Sequence, residues 1–188
     1  GKRCITQEWT YPRSIHDEVL THRELSRNSA SSRAIPTEKL IQRIVEDPFV
    51  PMYIGANKAG MQAGDELSGD DRLRALSMWL EARDRAVETS KLMSQLGVHK
   101  QVVNRLLQPW MWITVIVSST ELWNSVSGLG TNFFSLRDHK DAEPHFQHLA
   151  RLSKEAISAS TPRVLKHGEW HLPLVDVEFD PAKEMVGL

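Results

Sequence analysis

Cysteine is nearly absent from this sequence. Its 188 residues include one, Cys4, which lies in a polar N-terminal stretch. A lone cysteine cannot form an internal disulfide, and it indicates a reducing compartment. Cys4 has no local partner of the kind that activates a thiol, and no ordered set of serine, histidine and aspartate stands out. The sequence therefore gives no support to a hydrolase with a protein nucleophile.

An excess of charge of one sign is also missing. The 23 lysines and arginines nearly balance the 24 aspartates and glutamates, which leaves a formal net charge of -1. A chain without a net field does not attract nucleic acid polymers or anionic membranes. Any anionic ligand must therefore be bound by a local group of residues.

Long hydrophobic runs are absent as well. The longest, at residues 110–117, is far shorter than the roughly 20 residues of a membrane span. The first residues are followed by charged ones rather than by an apolar stretch, so no signal peptide is expected. We therefore predict a soluble, cytoplasmic protein, and the length favours a single domain comprising residues 1–188.

The hydrophobic periodicity predicts an α+β fold, with helices packed around a small sheet. Predicted helices cover residues 15–25, 36–46, 70–96, 98–107 and 142–158. Residues 110–120 are rich in β-branched and aromatic side chains and predict a strand buried on both faces, and residues 50–54 predict a short second strand. Polar or glycine-rich loops are predicted at residues 26–32 and 120–131.

Arginine is well suited to binding phosphate, because its planar fork can bind two oxygens at once and keeps its charge. Four candidates stand out, namely Arg23, Arg33, Arg105 and Arg137. For any one of them an exposed or ion-paired surface arginine is the more common situation. The polar loop at residues 26–33 adds several hydroxyls and amides, which form either an anion nest or a capping loop.

Other residue patterns give weaker signals. His145 and His148 lie one helical turn apart, which would suit a metal, but the sequence places no third ligand, so a plain surface pair is favoured and no metal is expected. Residues 128–130 lack the third glycine of a dinucleotide fingerprint. Three tryptophans, Trp79, Trp110 and Trp112, are interpreted as core residues rather than as platforms for stacking bases.

Three segments, taken in order, resemble the motifs of the flavin-dependent thymidylate synthase family. The first is Thr-His-Arg-Glu-Leu-Ser-Arg-Asn-Ser-Ala-Ser-Ser-Arg at residues 21–33. The others are Asn-Arg-Leu-Leu-Gln-Pro at residues 104–109 and Asn-Phe-Phe-Ser-Leu-Arg at residues 132–137. The resemblance covers about residues 15–160. Glu18 and Thr21 resemble the corresponding residues of a phage-like branch of the family.

The resemblance implies a helical fold around a small, mainly antiparallel sheet. It implies C5-methylation of dUMP or UMP, with methylenetetrahydrofolate as carbon donor and with FAD, reduced by NADPH, as the source of hydride. Those cofactors would carry the difficult steps, which agrees with a chain that offers no nucleophile of its own. A homotetramer with sites shared between subunits is also implied.

The resemblance assigns roles to particular residues. FAD would be held by Thr21, His22, Arg23, Ser29 and Asn132. The nucleotide would be held by Glu18, Ser31, Ser32, Arg33 and Arg105, of which Ser31, Ser32 and Arg33 would reach in from a neighbouring subunit. Arg137 would be the catalytic residue, because a guanidinium against the uracil ring stabilises negative charge and makes C5 a better nucleophile.

Several positions depart from the family's pattern. Thr21 replaces an arginine, Glu18 replaces a glutamine and Ser29 replaces a glutamate, while the stretch before the first motif is short and the segment at residues 121–131 is lengthened. These changes leave three hypotheses open. The protein makes dTMP, or it methylates UMP in a secondary pathway such as nucleoside antibiotic synthesis, or it is an inactive nucleotide-binding scaffold.

Overall fold

The computed structural model describes residues 3–126 and 133–174. It confirms an α+β architecture, with a three-stranded sheet and surrounding helices. The strands are β1 (Ile5–Pro12), β2 (Ser26–Ser29) and β3 (Trp112–Ser119). The α-helices are α1 (His16–Leu20), α2 (Thr37–Glu46), α3 (Gly69–Gln95), α4 (Lys100–Val103), α5 (Glu121–Val126), α6 (Phe133–Arg137) and α7 (Pro144–Ala159). Two 3₁₀ helices, Arg13–Ile15 and Asn104–Trp110, precede α1 and follow α4.

The strand β3 lies at the centre of an antiparallel sheet, with β1 on one side and β2 on the other. Side chains alternate between the two faces of a strand, so Val115 and Val117 point into the core. The prediction that both faces are buried was wrong. On the opposite face Trp112 and Ile116 remain 40% and 38% exposed, because the described part of the chain covers that face only in part.

The main core lies between the inner face of the sheet and helices α5, α6 and α7. Its largest fully buried side chains are Tyr11, Phe133 and Phe146. The ring of Phe133 contacts both Trp9 and Phe146, with centroids 5.8 and 6.0 Å apart. Such aromatic contacts add to the stabilisation from burial alone, and they fix α6 and α7 against β1.

A second core joins α2 and α3 to the 3₁₀ helix at Asn104–Trp110. Leu40 and Ile44, one helical turn apart on α2, are almost completely buried there. The indole N–H of Trp110 donates to the carbonyl of Trp79, whose own N–H donates to the carbonyl of Phe49. Trp79 and Trp110 are therefore core residues as predicted, whereas Trp112 lies at the surface of the sheet.

The first helix is shorter than the range of residues 15–25 that its hydrophobic pattern predicts. It ends at Leu20, and the predicted loop that follows contains the strand β2. Arg27 explains both differences, because its Nη1 donates to the carbonyls of Val19 and His22, at 3.0 and 2.7 Å. One guanidinium thus satisfies carbonyls that a longer helix would have paired internally.

Other boundaries also moved. Residues 121–126 were predicted as a loop but form α5. The hydroxyl of Ser119 accepts from the amides of Glu121 and Leu122 and so caps this helix. Residues 127–131 of the predicted loop lie outside the described part. The predicted strand at residues 50–54 is wrong, since only an isolated bridge between Gly55 and Glu66 occurs there. The helix predicted at residues 98–107 is a short α-helix continued by a 3₁₀ helix, while β1 and α6 were not predicted.

The helices predicted at residues 36–46, 70–96 and 142–158 are confirmed. None of the helices in the described ranges combines the length and the apolar character needed to cross a membrane.

Candidate functional site

Arg137 is the centre of a cluster built from two short helices and the turn between α1 and β2. Its Nε donates to Nε2 of His22 at 2.8 Å, and its Nη1 donates to Oε2 of Glu18 at 3.0 Å. The guanidinium carbon lies 4.3 Å from the centre of the Phe146 ring, within the range of a cation–π contact. The structure therefore brings together three residues, Glu18, His22 and Arg137, that were assigned to one site from the sequence.

The contact with Arg137 fixes the protonation of His22. Because Arg137 donates to Nε2, that nitrogen carries no hydrogen, and the hydrogen on Nδ1 is donated to Oε1 of Glu24 at 3.3 Å. The pKa of His22 is lowered, first by burial and then by the positive charge of Arg137. His22 is thus a neutral acceptor that orients the guanidinium.

The stability of the fold should depend on pH because of His22 and of His16, whose pKa is also lowered, mainly by burial. As the pH falls below the ordinary histidine value, about 6.5, the unfolded chain binds protons that the folded chain does not yet accept. The associated stability is present above that pH and is lost below it. We expect the melting temperature to fall between pH 7 and pH 5.

The measurement is thermal unfolding at several pH values, for the wild type, for His22→Gln and for His148→Gln. His148 is exposed and serves as the control. We expect a flatter pH dependence in His22→Gln alone. Identical pH dependence in all three proteins would contradict a neutral, buried His22.

The residues expected to bind phosphate, Ser31, Ser32 and Arg33, form an arm that lies elsewhere on the chain. Ser31 and Ser32 line a cavity of about 520 Å³ between β3 and α2, together with Ser29, which was assigned to FAD. The backbone amide of Arg33 donates to Oγ of Ser31 at 3.3 Å, and the Arg33 side chain is exposed. Since Glu18, His22 and Arg137 are not among the residues that line this cavity, the two predicted groups form separate surfaces of one chain.

Asn104, which sequence reasoning missed, holds the phosphate arm in place. Its side chain is 1% exposed. Its Nδ2 donates to the carbonyls of Ser32 and Ile35, at 2.8 and 3.0 Å, and its Oδ1 accepts from the hydroxyl of Thr37 at 2.8 Å. An asparagine in the stretch Val-Val-Asn-Arg-Leu-Leu, where the other residues apart from Arg105 are apolar, is the signal that could have identified it.

The remaining predicted residues lie at the surface. Arg23 and Arg105 are exposed, and their side chains have no hydrogen-bond partner within residues 3–126 and 133–174. The hydroxyl of Thr21 donates to the carbonyl of Glu18 at 2.7 Å, at the end of α1. Asn132 falls outside the described residues. Arg23 and Arg105 are therefore available to an anionic ligand.

His145 is not a surface residue as predicted. Its side chain is only 12% exposed, its Nδ1 contacts the carboxylate of Glu143, and its Nε2 accepts from the amide of Met52 at 3.0 Å. Both ring nitrogens are used, so His145 joins α7 to the segment after α2. Among the described residues no three histidines, cysteines or acids are grouped in a way that would bind a metal.

Comparison with known proteins shows similarity in fold. No protein-family model and no curated protein sequence matches this chain. Among solved structures, the UMP/dUMP methylase PolB from Streptomyces cacaoi bound with 5-Br UMP is similar, with a TM-score of 0.65, 16% identity, and coverage of 82% of this chain and 68% of PolB. PolB bound with 5-Br dUMP gives a TM-score of 0.58 and 14% identity, over 82% of this chain and 65% of that chain. This chain shares its fold with PolB over about two thirds of the length of PolB.

Proposed function

We propose that the protein methylates C5 of a uridine 5′-monophosphate, dUMP or UMP, in a flavin-dependent reaction in the cytoplasm. The observation that carries the proposal is the cluster of Glu18, His22 and Arg137, held by direct hydrogen bonds. The shared fold with a UMP/dUMP methylase supports it. So do the three motifs that resemble flavin-dependent thymidylate synthases.

In this proposal Arg137 acts on the uracil ring. C5 of uracil is a weak nucleophile, and a guanidinium that stabilises negative charge on the ring strengthens it. The side chain of Arg137 is 20% exposed, and its Nη2 has no hydrogen-bond partner in the described part of the chain. Two hydrogen bonds therefore orient the guanidinium of Arg137, and its Nη2 remains as a donor for the substrate. Because the guanidinium is already oriented, it does not have to reorganise during the reaction.

The residues around α1 fit a flavin as well. A flavin dinucleotide needs donors for its pyrophosphate and a flat surface for its ring system. Arg23 supplies an exposed guanidinium after the end of α1, and Ser29 adds an exposed hydroxyl on β2, at the edge of the cavity. When bound, FAD that NADPH has reduced would supply the hydride, and methylenetetrahydrofolate would supply the carbon.

The direct test is an assay of the purified protein with FAD, NADPH and methylenetetrahydrofolate, in parallel on dUMP and UMP. We expect a mass increase of one methyl group on at least one nucleotide, detected by mass spectrometry. Comparable rates on dUMP and UMP would favour a methylase that also accepts UMP, such as one from an antibiotic pathway. Turnover of neither nucleotide would favour an inactive nucleotide-binding scaffold.

A homotetramer explains why the phosphate arm and the Arg137 cluster are separate on one chain. In that assembly the arm of one subunit completes the cluster of its neighbour. Arg33→Ala, which removes a charged contact to the phosphate, should raise the nucleotide KM about tenfold or more. Arg137→Ala should be almost inactive.

Mixing these two variants tests the shared site. If each site takes Arg33 and Arg137 from different chains, about one quarter of the sites in a random mixture contain both arginines. We therefore expect recovery towards a quarter of wild-type activity at low nucleotide concentration. No recovery, with subunit exchange verified by native mass spectrometry, would place both residues in one chain's site.

A further inference from the structure

The cavity below the phosphate arm contains residues that the proposed methylation does not use. Its volume, about 520 Å³, falls within the range of about 300–1,000 Å³ that is typical of small-molecule sites. One wall is apolar and is formed by Leu40 and Ile44 of α2 together with Trp110 and Met111. Another contains Arg13, His16 and Arg43.

His16 presents a hydrogen-bond donor to this cavity. Its side chain is 8% exposed, and its Nδ1 lies 2.9 Å from the hydroxyl of Tyr11. Burial raises the pKa of Tyr11 to about 12, so the hydroxyl keeps its hydrogen. No other acceptor for that hydrogen occurs among the described residues, and it is therefore donated to Nδ1 of His16.

The hydrogen of the neutral His16 ring is consequently on Nε2. Within the described ranges Nε2 has no hydrogen-bond partner, and this atom is accessible to solvent. Because the ring lines the cavity and its Nδ1 edge contacts Tyr11, the free Nε2 faces the cavity. This N–H is therefore available to an acceptor that is bound in the cavity.

The charged groups define the kind of acceptor. Among the described residues the guanidinium of Arg13 has one distant ion pair, 3.9 Å from Asp17. The side chain of Arg43 is exposed and has no hydrogen-bond partner in the part of the chain that the structure describes. Two guanidiniums and an N–H favour an anion, and the carboxylates of Glu46 and Asp47, which also line the cavity, favour a ligand with its own donor.

We propose that this cavity is a second ligand site, for a small aromatic anion with an amino or hydroxyl donor. Its carboxylate or phosphate lies near Arg13 and Arg43, and it accepts a hydrogen bond from Nε2 of His16. Its ring lies against the apolar wall formed by α2 and Trp110. The cavity shares Ser29, Ser31 and Ser32 with the residues assigned to FAD and to the nucleotide, whereas Arg13, His16 and Arg43 have no role in the proposed methylation.

Isothermal titration calorimetry with 4-aminobenzoate, 4-aminophenyl phosphate and inorganic phosphate tests the proposal on the whole protein. We expect one or both aromatic anions to bind at least tenfold more tightly than inorganic phosphate, and their ranking shows whether carboxylate or phosphate is preferred. Arg43→Gln should weaken binding about tenfold, as expected for the loss of a charged hydrogen bond. Arg85→Gln, an exposed arginine on α3 outside the cavity, should leave the affinity unchanged.

A second measurement follows His16 directly. In protein labelled with ¹⁵N-histidine, the Nε2 signal of His16, assigned with His16→Gln, should shift when the aromatic anion is added. Absence of binding by both aromatic anions, equal weakening in Arg43→Gln and Arg85→Gln, or an unmoved Nε2 signal would overturn the proposal. Displacement of the bound anion by UMP, with loss of binding in Arg137→Ala, would also overturn it by making the cavity part of the nucleotide site.

Discussion

Replacing Arg137 by alanine is expected to lower the rate of uridylate methylation by about 100- to 1,000-fold, the cost of removing one positioned donor to a developing negative charge. The nucleotide loses the group that stabilises its ring. The loss should appear mainly in kcat, because the phosphate contacts are made by other residues. Rates measured by mass spectrometry over a range of nucleotide concentrations separate kcat from KM.

The hydrogen bond between Arg137 and His22 means that Arg137→Ala should also affect FAD binding. His22 was expected to contact the flavin and Arg137 the uracil, yet the two side chains are hydrogen-bonded at 2.8 Å. We therefore expect Arg137→Ala to retain most of its FAD but to bind it somewhat more weakly. A loss of FAD as large as the loss of activity would contradict the separate roles of the two residues.

Two further variants serve as controls for Arg137. Arg137→Lys keeps the charge but cannot contact Glu18 and His22 in the same way, so we expect it to recover only part of the rate. Arg151→Ala removes an exposed arginine that pairs with Asp138, and it should leave the rate unchanged. Equal rates for Arg137→Ala and the wild type would remove Arg137 from the reaction.

Asn104→Ala is expected to have the largest effect on stability. It deletes three hydrogen bonds and removes the side-chain donor from the part-buried carbonyls of Ser32 and Ile35, of which Ser32 keeps only the longer bond from the amide of Ile35, at 3.3 Å. Unsatisfied buried groups cost about 1–3 kcal/mol each, and we expect a total of about 3 kcal/mol because the exposed loop can relax. For a chain of this size the melting temperature should fall by about 6–12 °C.

The same substitution should also affect the substrate. Freeing the segment between Ser32 and Ile35 releases the arm proposed to bind the phosphate, so the nucleotide KM should rise more than kcat falls. The matched control is Gln101→Ala, on the exposed side of α4. A destabilised Asn104→Ala with an unchanged KM would show that Asn104 supports the fold alone.

Much of the fold could be predicted because strong local signals agree with its tertiary contacts. The helix at Gly69–Gln95 ends where Gly97 takes a positive φ of 81°, and α2 and α7 follow their apolar periodicity. The strand β3 is identified by its β-branched residues. Only the exposure of its outer face could not be predicted, since this depends on what packs against the sheet.

The elements that were missed depend on long-range partners. β1 forms by pairing with β3, 100 to 114 residues away, and Gln7 interrupts the alternation of apolar and polar residues in its short sequence. β2 is a polar stretch that becomes a strand because Arg27 ends α1 and β3 offers a free edge. Loop propensity is overridden in such a case by the pairing itself.

The candidate site, like the fold, could be predicted only in part. The motif resemblance assigned Glu18, His22 and Arg137 to one site, and the structure places these side chains in contact although they are up to 119 residues apart in sequence. It could not predict that Asn104 holds the phosphate arm, nor that Arg27 fixes the turn carrying His22, because both act through backbone carbonyls. Hydrogen bonds to carbonyls leave no mark on residue types at the accepting positions.

The most direct test of the proposed flavin-dependent methylation is an absorbance spectrum of the purified protein after addition of FAD, followed by titration with dUMP and then with UMP. We predict that the protein takes up FAD and that at least one nucleotide perturbs the flavin band, with the stronger perturbation identifying the preferred substrate. A protein that takes up no flavin, or a flavin band that neither nucleotide changes, would contradict a shared flavin and uracil site around Arg137.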